Sequence, residues 1–346
     1  MINWLALTPE QRKIVITSVS ARSGLPEKAV EKDWWVTVVL KALFNTPFEK
    51  HLLFKGGTSL SKSWKLIQRF SEDIDIALDR ELLGFSEGRI SNSQIAKLRE
   101  RACEFTKTRL KDQLAKQLTK MDIPASSFEI TAVEDSVNAD PQKLILTYPP
   151  LFEPHPYLED KVIIEVSARS LREPFTSQMI ESLIDEYSPG QAYVLPAFPV
   201  PTVNPERTIL EKAFLLHEEF CKPPEKVKHE KKSRHFHDLH ELMDTVHGTQ
   251  ALTDVNLYRV IVEHREVYNR IPGVDYTTLL PAAINFIPPD AFWKDWEADY
   301  ESMRENMILG DPPRFGQLMD RMKELLSRFR QIKLAPKEES GERPGP

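Results

Sequence analysis

Apolar and polar positions follow different periods in the two parts of the chain. Runs with the two-residue period of strands lie near 51–54, 73–78, 126–133, 142–148 and 161–167. Helical spacing predicts helices over about 8–22, 27–44, 58–68 and 91–120. Beyond these segments the pattern is almost wholly helical, over about 205–220, 234–246, 252–268, 289–306 and 313–333. The sequence therefore predicts an α+β fold, in which a small mixed sheet packed with helices is followed by an all-helical C-terminal part.

Closely spaced prolines mark the change between the two patterns, at Pro196, Pro199, Pro201 and Pro205. Proline interrupts both helices and central strands, so we place a boundary there. We predict a core domain over 1–200 that includes the N-terminal helices, and a helical domain over 201–334 that contributes to the cleft. The polar, charged and proline-rich end, 335–346, is predicted to be disordered.

Composition narrows the classes of function. The formal net charge of −6 argues against a protein that coats nucleic acid by bulk electrostatics, so any RNA contact needs a local basic patch. With only two cysteines, the chain has neither a disulfide framework nor a four-cysteine zinc site. No apolar run approaches the ~20 residues that span a bilayer, and the first residues do not resemble a signal peptide. We therefore expect a cytoplasmic protein without a membrane partner.

One stretch suggests a phosphate site. After the apolar run 51–54, a strand-to-helix turn carries Lys55, Gly56, Gly57, Thr58 and Ser59. Paired glycines let the backbone approach a ligand closely, and the helix that begins there offers free N–H groups to a phosphate. Ordinary loops also contain paired glycines, so the turn alone does not indicate a phosphate site. The acidic residues that follow it in the chain make the pattern more specific.

Two acids, Asp73 and Asp75, lie about fifteen residues beyond the glycines. On a strand, residues two apart face the same side at roughly 6–7 Å, which is close enough to share hard cations. An exposed acidic strand edge would give the same pattern. The glycine turn and the acid pair together suit transfer of a phosphoryl-type group from a nucleotide.

The combined motif resembles the first motif of the nucleotidyltransferase superfamily to which polymerase beta belongs. The run Gly-Gly-Thr-Ser-Leu-Ser-Lys, with Arg-Phe-Ser-Glu-Asp-Ile-Asp after it, is similar to one branch of it, the AbiEii/AbiGii toxin family of abortive-infection and toxin–antitoxin systems. Three later blocks, 161–172, 203–217 and 234–239, resemble further family motifs in the expected order.

The resemblance implies roles for three acids. Asp73 and Asp75 would bind the metal, and Glu165 would be the third catalytic acid and metal ligand on a neighbouring strand. Glu165 is a lone charge in an apolar run, where its desolvation is costly unless a cation pairs with it. It could instead face water. A glutamate here departs from the aspartate that is common in the wider superfamily.

The third and fourth motifs imply further site residues. Lys212 would meet the triphosphate as a point charge, with Arg207 about one turn before it. Asp238 would be a functional acid that orients or pairs with Lys212. An ordinary amphipathic helix that exposes Glu211 and Lys212 is the alternative. A metal cluster or a phosphohydrolase site built on the nearby histidines is a weak alternative, because His235 and His237 would point about 200° apart on a helix.

Several polar residues near the motifs remain to be assigned. Arg69 would steady the incoming phosphates or pair with Glu72, and Ser71 lies at the rim of the nucleotide site. The run from Lys222 to Arg234 contains six basic residues. It could hold a phosphate backbone or form a solvated flexible loop.

Taken together, the resemblance implies a toxin of a type IV toxin–antitoxin or abortive phage infection system. It would use Mg²⁺ or Mn²⁺ to transfer a nucleoside monophosphate from an NTP to an RNA hydroxyl, with a tRNA 3′ end as the expected acceptor. A cognate antitoxin is a further possible partner. Two alternatives stay open: a non-catalytic nucleotide- or partner-binding module on the same scaffold, and transfer onto a protein side chain.

Overall fold

A seven-stranded mixed β-sheet forms the centre of the N-terminal part. The computed structural model describes residues 3–86, 88, 90–134, 137, 139–155 and 158–334. The strands are β1 Leu52–Lys55, β2 Ile74–Leu78, β3 Glu129–Ala132, β4 Gln142–Thr147, β5 Lys161–Ser167, β6 Phe175–Ile180 and β7 Phe198–Val203. They lie in the order β3-β4-β5-β2-β1-β7-β6, and β2 with β5 and β1 with β7 are the parallel pairs. The predicted α+β class is confirmed.

Helices cover the sheet and make up the C-terminal part. They are α1 Pro9–Ser23, α2 Glu27–Leu43, α3 Gly56–Lys62, α4 Asn92–Phe105, α5 Lys111–Lys120, α6 Leu183–Tyr187, α7 Pro205–Phe220, α8 Arg234–Leu242, α9 Val246–Thr253, α10 Val255–Tyr268, α11 Trp293–Asn306 and α12 Phe315–Arg330. One π-helical turn joins α4 to α5. The two helices therefore follow each other without a break, in the segment 91–120 where the sequence predicted one long helix. No helix within the described ranges is long and apolar enough to cross a membrane.

Helix α3 is shorter than the segment 58–68 that the sequence predicted. It ends at Lys62, and Lys65 then adopts a left-handed conformation with φ of +52°. A non-glycine residue is uncommon there, so the chain leaves the helical path at this point. The turn leads residues 66–71 back toward the acid pair.

Two strands and a helix between 175 and 203 were missed. β7 pairs with β6 along its length and with β1 at Thr202, although it contains Pro199 and Pro201. The prolines occupy alternate positions, while Phe198 and Val200 are buried. The boundary predicted after residue 200 therefore falls inside a strand, and the division into two domains stays a prediction.

Helix α2 is buried along almost its whole length, including its charges. Lys28 contacts Asp160 at 2.6 Å, and one turn later Lys32 contacts Glu72 at 2.5 Å. A buried charge needs such a partner, since an uncompensated one is costly to desolvate. The second pair fixes the segment that leads directly into Asp73.

The C-terminal helices α7 to α12 share an apolar cluster of their own, which also takes in Leu60 and Ile67 from the first part. Within it, Arg265 of α10 donates to both carboxylate oxygens of Glu218 on α7, and both side chains are buried. This ion pair joins two helices by charge as well as by packing. It therefore helps to hold α7, which carries Lys212.

Removal of the Glu218 carboxylate should leave the Arg265 guanidinium buried without its main partner. We expect Glu218→Ala to lower the free energy of unfolding by about 3–5 kcal/mol. Lys323→Ala, which removes one partner of an exposed pair on α12, should cost less than about 1 kcal/mol. Urea unfolding followed by circular dichroism measures both. Equal losses in the two variants would contradict this assignment.

Candidate active site

The turn between β1 and α3 lies directly against the Asp75 carboxylate. Lys55 and Asp75 are partners in the antiparallel register of β1 and β2. Gly56 has a φ of +81°, and a Cβ atom there would lie only 2.0 Å from Asp75 Oδ2. The position thus requires glycine for two reasons, its backbone conformation and the space that the carboxylate occupies.

Both acids of the pair border one cavity of about 240 Å³. The first part of the chain contributes the glycine turn and the segment before β2, and the second part contributes α7 and the start of α8. The other lining residues are Lys55, Gly56, Gly57, Arg69, Ser71, Thr208, Glu211, Lys212, Leu215, Arg234 and His235. The structure therefore brings motifs from both parts of the chain to one place.

The two acids lie in a crowded negative environment. Burial, and after it the charge of the neighbouring Glu72, raise the pKa of Asp73 to about 6, against the attraction of Arg234. Burial also raises the pKa of Asp75, which Lys55 opposes and Glu165 reinforces. Burial is thus the largest cause of both shifts, in spite of the nearby cations. Carboxylate oxygens are ligands that hard divalent cations prefer. The donor set thus fits a Mg²⁺ or Mn²⁺ ion.

Glu165 lies beside Asp75 in the parallel pairing of β5 with β2. Its carboxylate contacts Lys143 Nζ at 2.8 Å, and the lining residues of the cavity do not include it. Across the described ranges, no three His, Cys, Asp or Glu side chains form a group that could hold a metal ion. The role of Glu165 as a third ligand stays a prediction.

Asp238 is fully buried behind the cavity and holds two cationic side chains. Arg69 donates to its two oxygens at 2.6 and 2.8 Å, and Lys212 Nζ contacts Oδ2 at 2.7 Å. Burial alone would raise the pKa of Asp238, but Arg69 and then Lys212 hold it well below its ordinary value. The predicted pairing of Asp238 with Lys212 is present. Asp238 is absent from the cavity lining, and its predicted catalytic role stays a prediction.

Burial of Lys212 rules out the exposed amphipathic face that was the alternative for this helix. Burial also lowers the pKa of the Lys212 ammonium, and Asp238 opposes that shift. Lys212 Nζ lies 3.5 Å from His235 Nδ1 at the cavity wall. Burial, together with the charges of Lys212 and Arg234, lowers the pKa of His235 well below its usual range. The histidine is therefore neutral at pH 7.

The hydroxyls of the glycine turn are used within the turn. Thr58 Oγ1 donates to the Asp73 carbonyl at 2.5 Å and lies within hydrogen-bond distance of Ser71 Oγ, at 2.9 Å. Ser59 Oγ donates to the Gly56 carbonyl at 2.8 Å. Both residues are buried outside the cavity lining, whereas Ser71 borders it. These bonds fix the shape of the turn, and a direct contact of Thr58 or Ser59 with a nucleotide stays a prediction.

Arg207 and Glu211 form an ion pair at the wall of the cavity. The Arg207 guanidinium is buried, and its Nε donates to Glu211 Oε1 at 3.0 Å. Burial opposes the ionisation of Glu211, but Arg207 and then Lys55 lower its pKa to about 2. Glu211, unlike Arg207, borders the cavity. The nucleotide-binding role predicted for Arg207 stays a prediction, and its observed contact is with a site acid.

Some cavity residues were not singled out from the sequence. Glu211 and Arg234 lie in the third and fourth motifs, but neither was given a role in the site. Arg234 Nη1 lies 3.9 Å from Asp73 Oδ2, at the open side of the cavity. The metal cluster of histidines is not formed among the described residues, because His235 borders the cavity while His237 is buried away from it. The position of Arg234 directly beside His235 in the fourth motif could have indicated its role.

A family model described as the nucleotidyl transferase AbiEii toxin of type IV toxin–antitoxin systems matches residues 38–327. The chain belongs to this family. It is therefore a nucleotidyltransferase toxin of the type IV class, and the family generally uses an NTP and a divalent metal.

A solved structure supports the fold. The chain is similar to MenT4, a nucleotidyltransferase toxin from Mycobacterium tuberculosis H37Rv, with a TM-score of 0.53 and 17% sequence identity. The similarity covers 92% of this chain and 90% of that one. No curated protein sequence matches. At this level of identity the likeness shows a shared fold.

Two glycine variants distinguish a steric contact with Asp75 from the effect of an unfavourable backbone conformation. Gly56→Ala places a methyl group against Asp75, so we expect nucleotidyl transfer to fall at least about a hundredfold. Gly24→Ala is the matched control, because Gly24 has a φ of +75° with open space around it. It should cost about 1–2 kcal/mol of stability and leave activity unchanged. Similar activities for the two variants would contradict the proposed contact.

The crowding of the acids predicts a gain of stability on neutralisation. Because the folded-state pKa of Asp73 is about 6, above the ordinary aspartate value of 3.8, the wild type loses stability as pH rises between these two values. In metal-free buffer at pH 8, Asp73→Asn should therefore be more stable by about 1–3 kcal/mol. The difference should shrink toward zero as the pH falls to about 4.

Thermal unfolding at several pH values measures this difference, with Asp320→Asn on the exposed face of α12 as the control. Added Mg²⁺ should raise the unfolding temperature of the wild type more than that of Asp73→Asn, since binding to the folded state stabilises it. A less stable Asp73→Asn at pH 8 would show that burial does not strain this acid.

Proposed function

We propose that this toxin transfers a nucleoside monophosphate from an NTP to the 3′-terminal hydroxyl of an RNA, with tRNA as the acceptor class. The single observation that carries the proposal is the contact of the Asp75 carboxylate with the glycine turn, beside Asp73 in one cavity. Oxygen ligands and a phosphate-binding turn in contact with each other suit an NTP bound with its cation. Such a reaction would take place in the cytoplasm, where both substrates occur.

In the proposed reaction, the acceptor hydroxyl oxygen forms a bond to the α-phosphorus as it loses its proton. The bond from that phosphorus to the β-phosphate breaks, and pyrophosphate leaves. A divalent ion held by Asp73 and Asp75 would supply Lewis-acid stabilisation to the attacking and leaving oxygens. Lys55 and Lys212 border the same cavity and would neutralise the charge that develops on the phosphates.

Asp238 and Arg69 would serve this chemistry by position. Asp238 holds the Lys212 ammonium and the Arg69 guanidinium in fixed places, so that neither has to reorganise during transfer. The trio carries one net positive charge when all three groups are ionised. That charge faces the cavity through Arg69 and Lys212, which border it, while the balancing acid stays behind the wall.

Labelled nucleotides test the proposal. The protein is incubated with each of the four α-labelled NTPs, Mg²⁺ and bulk tRNA, and the RNA and protein fractions are counted separately. We expect label on the RNA, loss of transfer with EDTA, and a fall of at least about a hundredfold in Asp75→Asn. Asp320→Asn should retain wild-type activity.

Three outcomes would count against the proposal in different ways. Absence of label from every nucleotide would contradict the transfer itself. Label only on the protein fraction would show that the acceptor is a protein side chain and not an RNA hydroxyl. Transfer that persists with EDTA or in Asp75→Asn would contradict the metal role of the acid pair.

A further inference from the structure

The connection between α7 and α8 carries a dense group of lysines next to the cavity. We call residues 222–232 the lysine loop, which contains Lys222, Lys226, Lys228, Lys231 and Lys232 against Glu225 and Glu230. It leaves α7 after Phe220, eight residues beyond Lys212, and eight residues of helix span roughly 12 Å. Arg234, which opens α8 and approaches Asp73, comes directly after the loop and Ser233. The loop thus runs from a point beyond the site back to its mouth.

Two acids, one on α7 and one on α11, hold the lysine loop against these helices by hydrogen bonds. Glu219 of α7 accepts from the ammonium groups of Lys222 and Lys232 and from the Lys228 backbone N–H. Asp299 of α11 accepts from the backbone N–H groups of Lys231 and Ser233 and from the Ser233 hydroxyl. Glu219 is buried, which strengthens these charge-assisted bonds. The loop therefore has a defined conformation, unlike the solvated flexible loop that was the alternative for this run.

These contacts divide the lysines of the loop into a partly covered group and an exposed group. Lys222 and Lys232 are partly covered by their shared contact with Glu219, while Lys226, Lys228 and Lys231 are exposed. The chain as a whole is acidic, with a formal net charge of −6. A fixed, outward-facing group of lysines beside the site is thus a local exception to the charge of the protein, and it suits a polyanion that approaches the cavity.

We propose that the lysine loop binds the phosphate backbone of the acceptor RNA a few nucleotides upstream of the end that enters the cavity. The inference rests on the proposed transfer to RNA. At a rise comparable to the about 3.4 Å per nucleotide of a DNA strand, roughly 12 Å corresponds to three or four nucleotides. Ammonium groups act as point charges on phosphates, so this contact positions the strand without reading its sequence.

Reversal of the charge at two exposed lysines tests whether the lysine loop binds RNA. Lys226→Glu with Lys228→Glu should weaken binding of a fluorescein-labelled single-stranded RNA of about twenty nucleotides by tenfold or more at low salt. The slope of log K against log salt should fall by about 0.7 for each lysine removed. Replacement of both lysines by arginine should keep affinity within about twofold, since the charge is retained.

The matched control changes the same net charge on another basic face. Lys116→Glu with Lys120→Glu alters two exposed lysines of α5, which packs against α2 and β3. RNA affinity should change less than about twofold in this variant. Equal losses in both reversal variants would show that only bulk charge matters, and would overturn the assignment of the loop.

Kinetics separate this proposal from the proposed function. In label transfer, the loop reversal should raise KM for tRNA at least tenfold while kcat and the KM for NTP stay near wild type. A dinucleotide acceptor, too short to reach the loop, should be used equally well by the wild type and the loop variant.

Transfer to tRNA with an unchanged KM would overturn the loop assignment and leave the proposed function standing. Failure of the wild type to label any RNA would instead contradict the function, and failure to bind RNA at all would contradict both.

Discussion

The site depends on the placement of β2 between β1 and β5. This arrangement puts Asp75 beside Lys55 on one neighbouring strand and beside Glu165 on the other. The glycine turn continues directly from β1, so the strand that supplies the lysine also presents the backbone of Gly56 to the carboxylate. A shift of β2 by one residue would turn Asp75 to the other face of the sheet, away from Lys55 and Glu165.

The charges of the cavity follow a consistent division. Burial raises the pKa of each acid at the front, Asp73 and Asp75, although Arg234 and Lys55 oppose the shifts. The cations at the back, Arg69 and Lys212, share the carboxylate of Asp238. The site is therefore arranged for a ligand that brings both a cation for the front and an anion for the back. An NTP with its divalent ion has this composition, in keeping with the proposed function.

Local patterns were sufficient for much of the fold and for the first motif. Strand β1, the glycine turn and the acid pair lie within 52–78, so their spacing along the chain reflects their spacing in space. Proline content led to the wrong prediction for β7, because a proline count does not show that Val200 and Thr202 are buried on either side of Pro201. The ion pair of Arg69 with Asp238 spans 169 residues, and no local period could indicate it. The same holds for Lys143, whose contact with Glu165 depends on the pairing of β4 with β5.

The shared carboxylate of Asp238 has a consequence for how the molecule can be divided. It lies on α8, yet it bonds Arg69 from the segment after α3. An N-terminal fragment that ended before α7 would retain the glycine turn and both front acids, but it would leave a guanidinium without its carboxylate and expose Leu60 and Ile67, which pack among the later helices. The sheet therefore does not constitute a minimal enzyme. The two parts of the chain line one cavity, and an exchange of C-terminal helices between relatives would have to preserve this acid to preserve the site.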